Sequence, residues 1–372
     1  MKTMAEQIYA RQYNHFEKVL QALGTHDLER ARHALTELSS ALDSQAEGPE
    51  HIQTSFFVKA LEKRLSGNVD IEENLYLLPD QGQQIQMFNF MAQKFPVVRF
   101  AQELVNQQYL EVLNGQPDVT LWDIGIGNGQ QMVRLIESLI RLGQPPRTLE
   151  VLGLDPSAAS LTQAEQALAT LCEQAGIRFQ FDGFAKTVES LDAADWEKIE
   201  RILRPKQGRW VANASFALHH IAPVAERTRF FAKLRALKPV LFCLIEPYAD
   251  FLEPALKTRF KNAWHHYGLA FWAIDQIDAP LENRNLLKSV FFGREIIDVI
   301  ARDTGRIEQF ETGEMWAQRL RDSQFLSTSL TVNESVIPGF ESIRIQPYET
   351  YTGLMAQEHP VISILRARCV EA

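Results

Sequence analysis

Asp123-Ile124-Gly125-Ile126-Gly127-Asn128-Gly129 is the stretch whose residue types and spacing point most directly to chemistry. An apolar run, Val119 to Trp122, leads into it. Met132, Val133, Leu135, Ile136, Leu139 and Ile140 follow at helical spacing. Strand, glycine turn and helix is a geometry that brings backbone close to a ligand. Glycines reach positive φ and carry no Cβ, and a helix start offers unpaired N–H groups. The acid at the strand end points to a cationic or hydroxylated ligand rather than a phosphate. Asp155, Asp182-Gly183-Phe184, Asn213 and Glu246 each close a later apolar run. Asp155 suits the two hydroxyls of a ribose, a logic that nucleotide sites share; a surface turn before Pro156 is its bland alternative. His219 and His220 carry imidazoles that work near neutral pH. They could bind an acceptor or take its proton, or one could cap a helix while the other packs internally. Tandem histidines without a neighbouring acid or cysteine cluster lack metal-ligand spacing, so no metal is expected.

The elements that must position these groups read as follows. The first hundred residues are helical: Asp27 is a candidate N-cap before Leu28, Ala31, Leu35, Leu38 and Leu42. Phe56, Phe57, Ala60, Leu61 and Leu65 suggest a second helix. Met87, Phe88, Phe90 and Met91 form an apolar cluster, and Val97 to Leu113 is the helix before the glycine loop. From Val119 strands and helices alternate. Leu149–Leu154, Ile177–Phe181, Trp210–Ala214 and Val240–Ile245 are near-continuous apolar runs, as buried parallel strands are. Leu161 to Leu171 is a helix between two of them. Such alternation implies a doubly wound sheet with its ligand at the carboxyl ends of the strands. Tyr248 to Val290 breaks the rhythm with Phe251, Phe260, Trp264, Tyr267, Phe271 and Trp272, and reads as a helical cap over the site. His265 and His266 sit in this insertion, and a pocket lined by Trp264, Tyr267, Phe271 and Trp272, with His266 as a further candidate contact, would suit a flat or apolar acceptor; plain helix-on-helix packing is the alternative. Arg294 to Arg302 resumes a helix. Ser342–Gln346, Val361–Leu365 and Thr350–Met355 read as an antiparallel edge.

Bulk properties exclude several classes. The chain has 372 residues, 45% hydrophobic and 23% charged, ordinary for a soluble globular protein. A net charge of −9 disfavours nucleic acid and anionic membrane as partners. Cys172, Cys243 and Cys369 stand apart, which argues for reduced thiols in a cytoplasmic setting. No apolar leader occupies residues 1–13, and no run approaches the roughly 20 apolar residues of a membrane span. The oligomeric state stays open, with a homodimer among the options.

Asp-x-Gly-x-Gly-x-Gly resembles the loop of class I S-adenosylmethionine-dependent methyltransferases. That resemblance assigns Asp123 and the turn of Gly125, Gly127, Asn128 and Gly129 to the methionine end of the cofactor. Asp155 would take the ribose, Asp182, Gly183 and Phe184 the adenine, and Asn213 would face the sulfonium. Small residues after Asn213 would let an acceptor approach beside Phe216. A nicotinamide fingerprint, G-x-G-x-x-G/A, fails at Gln130.

A second resemblance covers nearly the whole chain. Phe95-Pro96-Val97-Val98-Arg99-Phe100-Ala101 followed by Val105-Asn106-Gln107, the Gly129-Gln130 step, and Gly176 to Phe184 resemble blocks of the GRAS family, in that order. Phe216-Ala217-Leu218-His219, Leu237-Lys238-Pro239 before Glu246, Arg259-Phe260, His266-Tyr267, Gly293-Arg294-Glu295-Ile296 and Trp316 with Arg319 continue the series. The resemblance implies a helical cap on a methyltransferase-like core. Plant members of that family typically lack the glycine loop and serve as transcriptional regulators that bind partner proteins. Retention of Asp123, the three glycines and Asp155 points instead to a bacterial-type member.

The sequence therefore leads to these expectations. The fold is α/β: a Rossmann-like doubly wound methyltransferase sheet with an antiparallel edge, plus an α-helical cap. The divisions are 1–115 (helical cap and lead-in), 116–247 (core), 248–290 (cap insertion) and 291–372 (rest of the core). The function is O- or N-methylation of a small-molecule acceptor with S-adenosyl-L-methionine as cofactor. Alignment would supply roughly 7–11 kcal/mol, with His219, His220 or Glu246 as the base. The alternative is a non-catalytic small-ligand-binding or regulatory protein of GRAS type.

Overall fold

A computed structural model describes residues 4–43, 49–67, 95–206, 208–332 and 335–370. The expected apolar cluster at Met87, Phe88, Phe90 and Met91 lies outside the described residues. Five parallel strands form the centre: β1 (Asp118–Ile124), β2 (Thr148–Leu154), β3 (Arg178–Phe184), β4 (Val211–Ser215) and β5 (Leu241–Pro247). The C-terminal part adds β6 (Phe325–Thr328), β7 (Val336–Ile337), β8 (Phe340–Pro347), β9 (Thr352–Ala356) and β10 (His359–Cys369). Their order is β3-β2-β1-β4-β5-β10-β9-β8-β7, with β6 also paired to β10. Strand β10 runs antiparallel to β5. The fold is thus mixed α/β with a parallel core and an antiparallel edge, and it resembles that of S-adenosylmethionine methyltransferases.

Side-chain alternation divides the sheet between two cores. Val119 and Leu121 face one, with Val211, Leu241 and Cys243. Trp122 and Ile124 face the other, with Leu152, Trp210, Phe242 and Leu244. The first face carries α4 (Pro96–Leu113), α5 (Gln130–Arg141) and α6 (Ala158–Ala175). The second carries α7 (Ala193–Leu203), α8 (Ala225–Leu237) and α12 (Gly313–Asp322). Asp123 and Asn213 are register partners and share the first face, beneath α4 and α5.

The cap is built from both ends of the helical sequence. Helices α1 (Met4–Gly24), α2 (Leu28–Asp43) and α3 (Pro49–Ser66) pack with α9 (Leu256–Asp275) and α11 (Gly293–Ala301). Helix α10 (Leu281–Leu287) and a π-turn over Lys288–Phe292 join the last two. Asp27 is the cap of α2, its Oδ1 accepting from Arg30 N at 3.1 Å. Phe16, Phe57, Phe260 and Trp264 meet with ring centroids 4.9–6.4 Å apart. Each fully buried phenylalanine in such a cluster contributes about 1.5–3 kcal/mol. No helix among the described residues is long and apolar enough to cross a membrane.

Arg259 holds the cap together through hydrogen bonds rather than a ligand. It is wholly buried, and it donates to the carbonyls of Val299, Glu253, Pro254 and Arg302 at 2.8–3.2 Å and to Asp303 Oδ1 at 2.7 Å. Arg259→Met fills the volume but leaves those carbonyls unsatisfied. The expected loss is roughly 2–4 kcal/mol, read as a lower urea midpoint at unchanged slope.

Candidate functional site

The carboxyl ends of the strands bring together most of the residues singled out above. Asp123 is buried on β1, and its Oδ1 accepts from Asn213 Nδ2 at 2.7 Å. Gln131, on α5, donates to Asn213 Oδ1 at 3.1 Å and accepts from Ser215 Oγ at 2.8 Å. Asn106, on α4, donates to the Gln131 carbonyl at 3.0 Å, and the Tyr109 hydroxyl donates to the Ala212 carbonyl at 2.6 Å. These six side chains form a polar network across the sheet–helix boundary. Burial drives the Asp123 pKa up to about 7, against the lowering effect of the Asn213 bond; the Asp155 charge adds to the rise.

Asp155 holds the glycine loop in place. Its Oδ2 accepts from Gly127 N at 3.0 Å and its Oδ1 from Ser157 N at 2.8 Å. Burial raises its pKa, and those two N–H groups oppose the rise. Gly125 sits at φ +79°, where a Cβ would lie 2.6 Å from Ala217 Cβ. Gly129, at φ +77°, would bring its Cβ within 2.9 Å of Ala164 Cβ. The loop is closely packed by its own fold there, while Gly127 faces open space. Asn128 Oδ1 accepts from Gln130 N at 3.4 Å, just before the helix.

On β3, Asp182 pairs with Lys198 of α7 at 2.7 Å and accepts from Gln180 Nε2 at 3.0 Å. Lys198 also lies 5.0 Å over the Phe184 ring. Gly183 and its register partner Gly153 leave room for the Phe181 ring, which a Cβ at Gly153 would meet at 2.7 Å. Asp182 and Phe184 therefore face α7, on the opposite side of the sheet from Asp123.

The histidines stand on the turn after β4. His219 is buried; its Nδ1 donates to Glu246 Oε2 at 2.5 Å. Glu246, wholly buried at the end of β5, also accepts from Leu218 N at 2.7 Å and Ala217 N at 3.2 Å through Oε1. Phe216 enters this turn at φ 56°, an uncommon conformation for a bulky residue, with its N–H on the Ile245 carbonyl at 2.8 Å. Burial favours neutral His219, but Glu246 and then Glu308 reverse this and raise its pKa to about 9. Burial and the neighbouring His219 charge lower His220 to about 4. Trp264, His266 and Tyr267 are all buried in the cap. Trp264 packs on Phe16 and Phe57, and His266 Nδ1 lies 3.0 Å from the Tyr248 carbonyl. Burial lowers the pKa of His266 to about 4. Trp272 is partly buried against the same core.

Sequence reasoning did not single out Gln131, Tyr109, Ser215, Arg227, Glu308 or Glu311. Arg227 and Glu311 are both wholly buried and paired; Arg227 also donates to the His219 carbonyl at 2.5 Å. Arg319 completes the group, its Nε 2.6 Å from Glu311 Oε2. Trp316 and Arg319 had carried part of the family resemblance, and their spacing was the available signal. Glu308 had no signal near the histidines it meets.

Two measurements test this geometry. Gly125→Ala combines positive φ with a close Ala217 and should cost about 1–3 kcal/mol. Gly127→Ala should cost about 1 kcal/mol, since only its φ of +54° resists a Cβ; urea unfolding ranks the pair. The second concerns Asp123. Its folded pKa lies above the ordinary 3.8, so the folded chain binds an extra proton between pH 4 and 7. The stability it contributes is complete below pH 4 and is lost as pH rises through 7. Asp123→Asn keeps an acceptor for Asn213 and should lose less stability than the parent between pH 4.5 and 7.5.

Comparison with known proteins now bears on this geometry. The model of the GRAS domain family matches residues 14–336. DELLA protein RGA2 of Brassica campestris is 27% identical over 326 residues, 84% of this chain and 53% of that protein. DELLA protein 2 of Medicago truncatula is 25% identical over 321 residues, 84% of this chain and 57% of its own length. The chain spans about half the length of the curated relatives it matches. The crystal structure of SCL7 from Oryza sativa superposes with a TM-score of 0.75 at 19% identity, covering 90% of this chain and 94% of that one. The family match overturns the enzymatic expectation, because GRAS proteins are transcriptional regulators and not methyltransferases. The assignments as enzyme, transferase and S-adenosylmethionine-binding protein are corrected accordingly. The physical reason for the misreading is visible: acids of the types and positions that suggested a cofactor are bonded to the chain's own donors. By the extent of the family match and the shared fold, this chain belongs to the GRAS domain family.

Proposed function

We propose that this chain is a non-catalytic regulatory module that acts by binding other proteins. The observation that carries this reading is the internal engagement of the rim carboxylates. Asp123 is bonded to Asn213, Asp155 to two loop N–H groups, Asp182 to Lys198, and Glu246 to His219 and two N–H groups. These contacts give each acid a structural task without a ligand. The family's role in transcription supports the same reading. A net charge of −9 favours action through a protein partner over direct contact with DNA.

The bacterial-type placement rests on the retention of Asp123, the three loop glycines and Asp155; the relatives named above are plant proteins and lend it no support. The cytoplasmic placement rests on free thiols at Cys172, Cys243 and Cys369. Reduced thiols suit the nucleus equally, and a role in transcription favours the nucleus.

The experiment has two arms. S-adenosylmethionine should leave the melting temperature unchanged, because a ligand that binds only the folded state would raise it. The chain tethered to a reporter promoter through a heterologous DNA-binding domain should change transcription severalfold. Transfer of labelled methyl to any acceptor, or a tethered chain without effect on the reporter, overturns the proposal.

A further inference from the structure

The tandem histidines lack an acid nearby in sequence, but the fold supplies one. Glu308 comes from the segment after α11 and lies over the turn that carries His219 and His220. His219 Nε2 is 3.4 Å from Glu308 Oε2, and His220 Nδ1 is 3.9 Å from the same oxygen. All three candidate donor atoms fall within 4.8 Å of one another. Glu308 is 8% exposed, and its Oε2 is the oxygen that faces both imidazoles. Two imidazole nitrogens and a carboxylate oxygen thus converge in a buried place.

The separations match a coordination shell. Zinc bonds nitrogen and oxygen at roughly 2.0–2.2 Å, so two ligands of a tetrahedral ion lie about 3.4 Å apart. The His219–Glu308 distance has that value, and the His220–Glu308 distance needs a shift of about half an ångström, within the reach of one side-chain torsion. The surroundings are also those of a ligand set. Glu246 accepts from His219 Nδ1 at 2.5 Å, which leaves Nε2 as the nitrogen that faces Glu308 and that a metal ion would take in place of its proton. A carboxylate behind a ligating histidine fixes its tautomer and strengthens it as a donor. Glu246 is itself held by Ala217 N and Leu218 N, and Glu308 N is bonded to Asp298 Oδ2 at 2.8 Å. Arg227 steadies the His219 carbonyl. His220 is the least buried of the three, with 21% of its side chain exposed.

We propose that His219 Nε2, His220 Nδ1 and Glu308 Oε2 bind a zinc ion, with water in the fourth position. The site joins the turn after β4 to the segment between α11 and α12. Its role is to fasten the core to the chain that follows the cap, and it is independent of whether the protein regulates transcription.

The test uses the full chain, stripped with a chelator and then titrated with zinc by calorimetry. One ion per chain is expected. His220→Ala and Glu308→Gln should each weaken binding at least tenfold, and Glu246→Gln about tenfold through the loss of support for His219. Cobalt in place of zinc should give the visible absorption of a four-coordinate ion with nitrogen donors, a readout on the unaltered chain that does not depend on any variant folding. His265 and His359 also have adjacent rings, 4.3 Å apart. His359→Ala should leave uptake unchanged. The proposal is overturned by an unaltered chain that takes up no stoichiometric zinc, by uptake unchanged in the His220→Ala, Glu308→Gln double variant, or by uptake abolished in His359→Ala.

Discussion

Glu311 is wholly buried between two guanidiniums, and much of the connectivity passes through it. Arg227 reaches it from α8 and also grips the carbonyls of His219 and Ile221. Arg319 reaches it from α12 and binds both of its oxygens, at 2.6 and 2.8 Å. A carboxylate removed from water needs donors on each oxygen, and a buried guanidinium needs acceptors for its fork of N–H groups. Each group here meets the other's requirement, so the turn after β4, helix α8 and helix α12 hold one relative geometry. Taking away one member strands the others, which is the circumstance in which a buried ion pair matters for stability.

The same rule accounts for the rim at which the sequence led one to expect a ligand. Acids at the ends of parallel strands are the usual instruments of nucleotide recognition. In this chain Asp123 is satisfied by Asn213, and Asp155 by the glycine loop it faces. The positive φ values of Gly125 and Gly129 still serve close approach, but what approaches is Ala217 and Ala164 of the chain itself. A turn built for proximity does not specify the partner that comes near.

The strands were legible because buried parallel strands are nearly continuous apolar runs, and all five were located to within a few residues. The antiparallel edge was legible for β8, β9 and β10, while the short β6 and β7 carry too few residues for a pattern to emerge. Asp182 was expected just beyond its strand; it lies within β3, where the ladder with β2 continues to Phe184. Helix α12 was noticed only through Trp316 and Arg319. The polar network was legible only in part: Asp123, Asn106 and Asn213 were noted for other reasons, while Gln131, Tyr109 and Ser215 carried no signal, and nothing local links the six. Glu308 shows the limit most plainly, since its meeting with His219 depends on the path of the whole cap.

The aromatic helix α9 shows why residue type alone could not separate a pocket from a core. Trp264 and Tyr267 present the same rings whether they line a cavity or fill one. The outcome depends on whether another element brings side chains to meet them. Phe16 from α1 and Phe57 from α3 do so, and both come from the far N-terminal region, whose periodicity marks an apolar face without naming its partner. A family's shared architecture has the same standing: it constrains where a site would be and leaves its chemistry to the side chains that occupy it. Here the acids at the strand ends are bonded to donors of the chain itself.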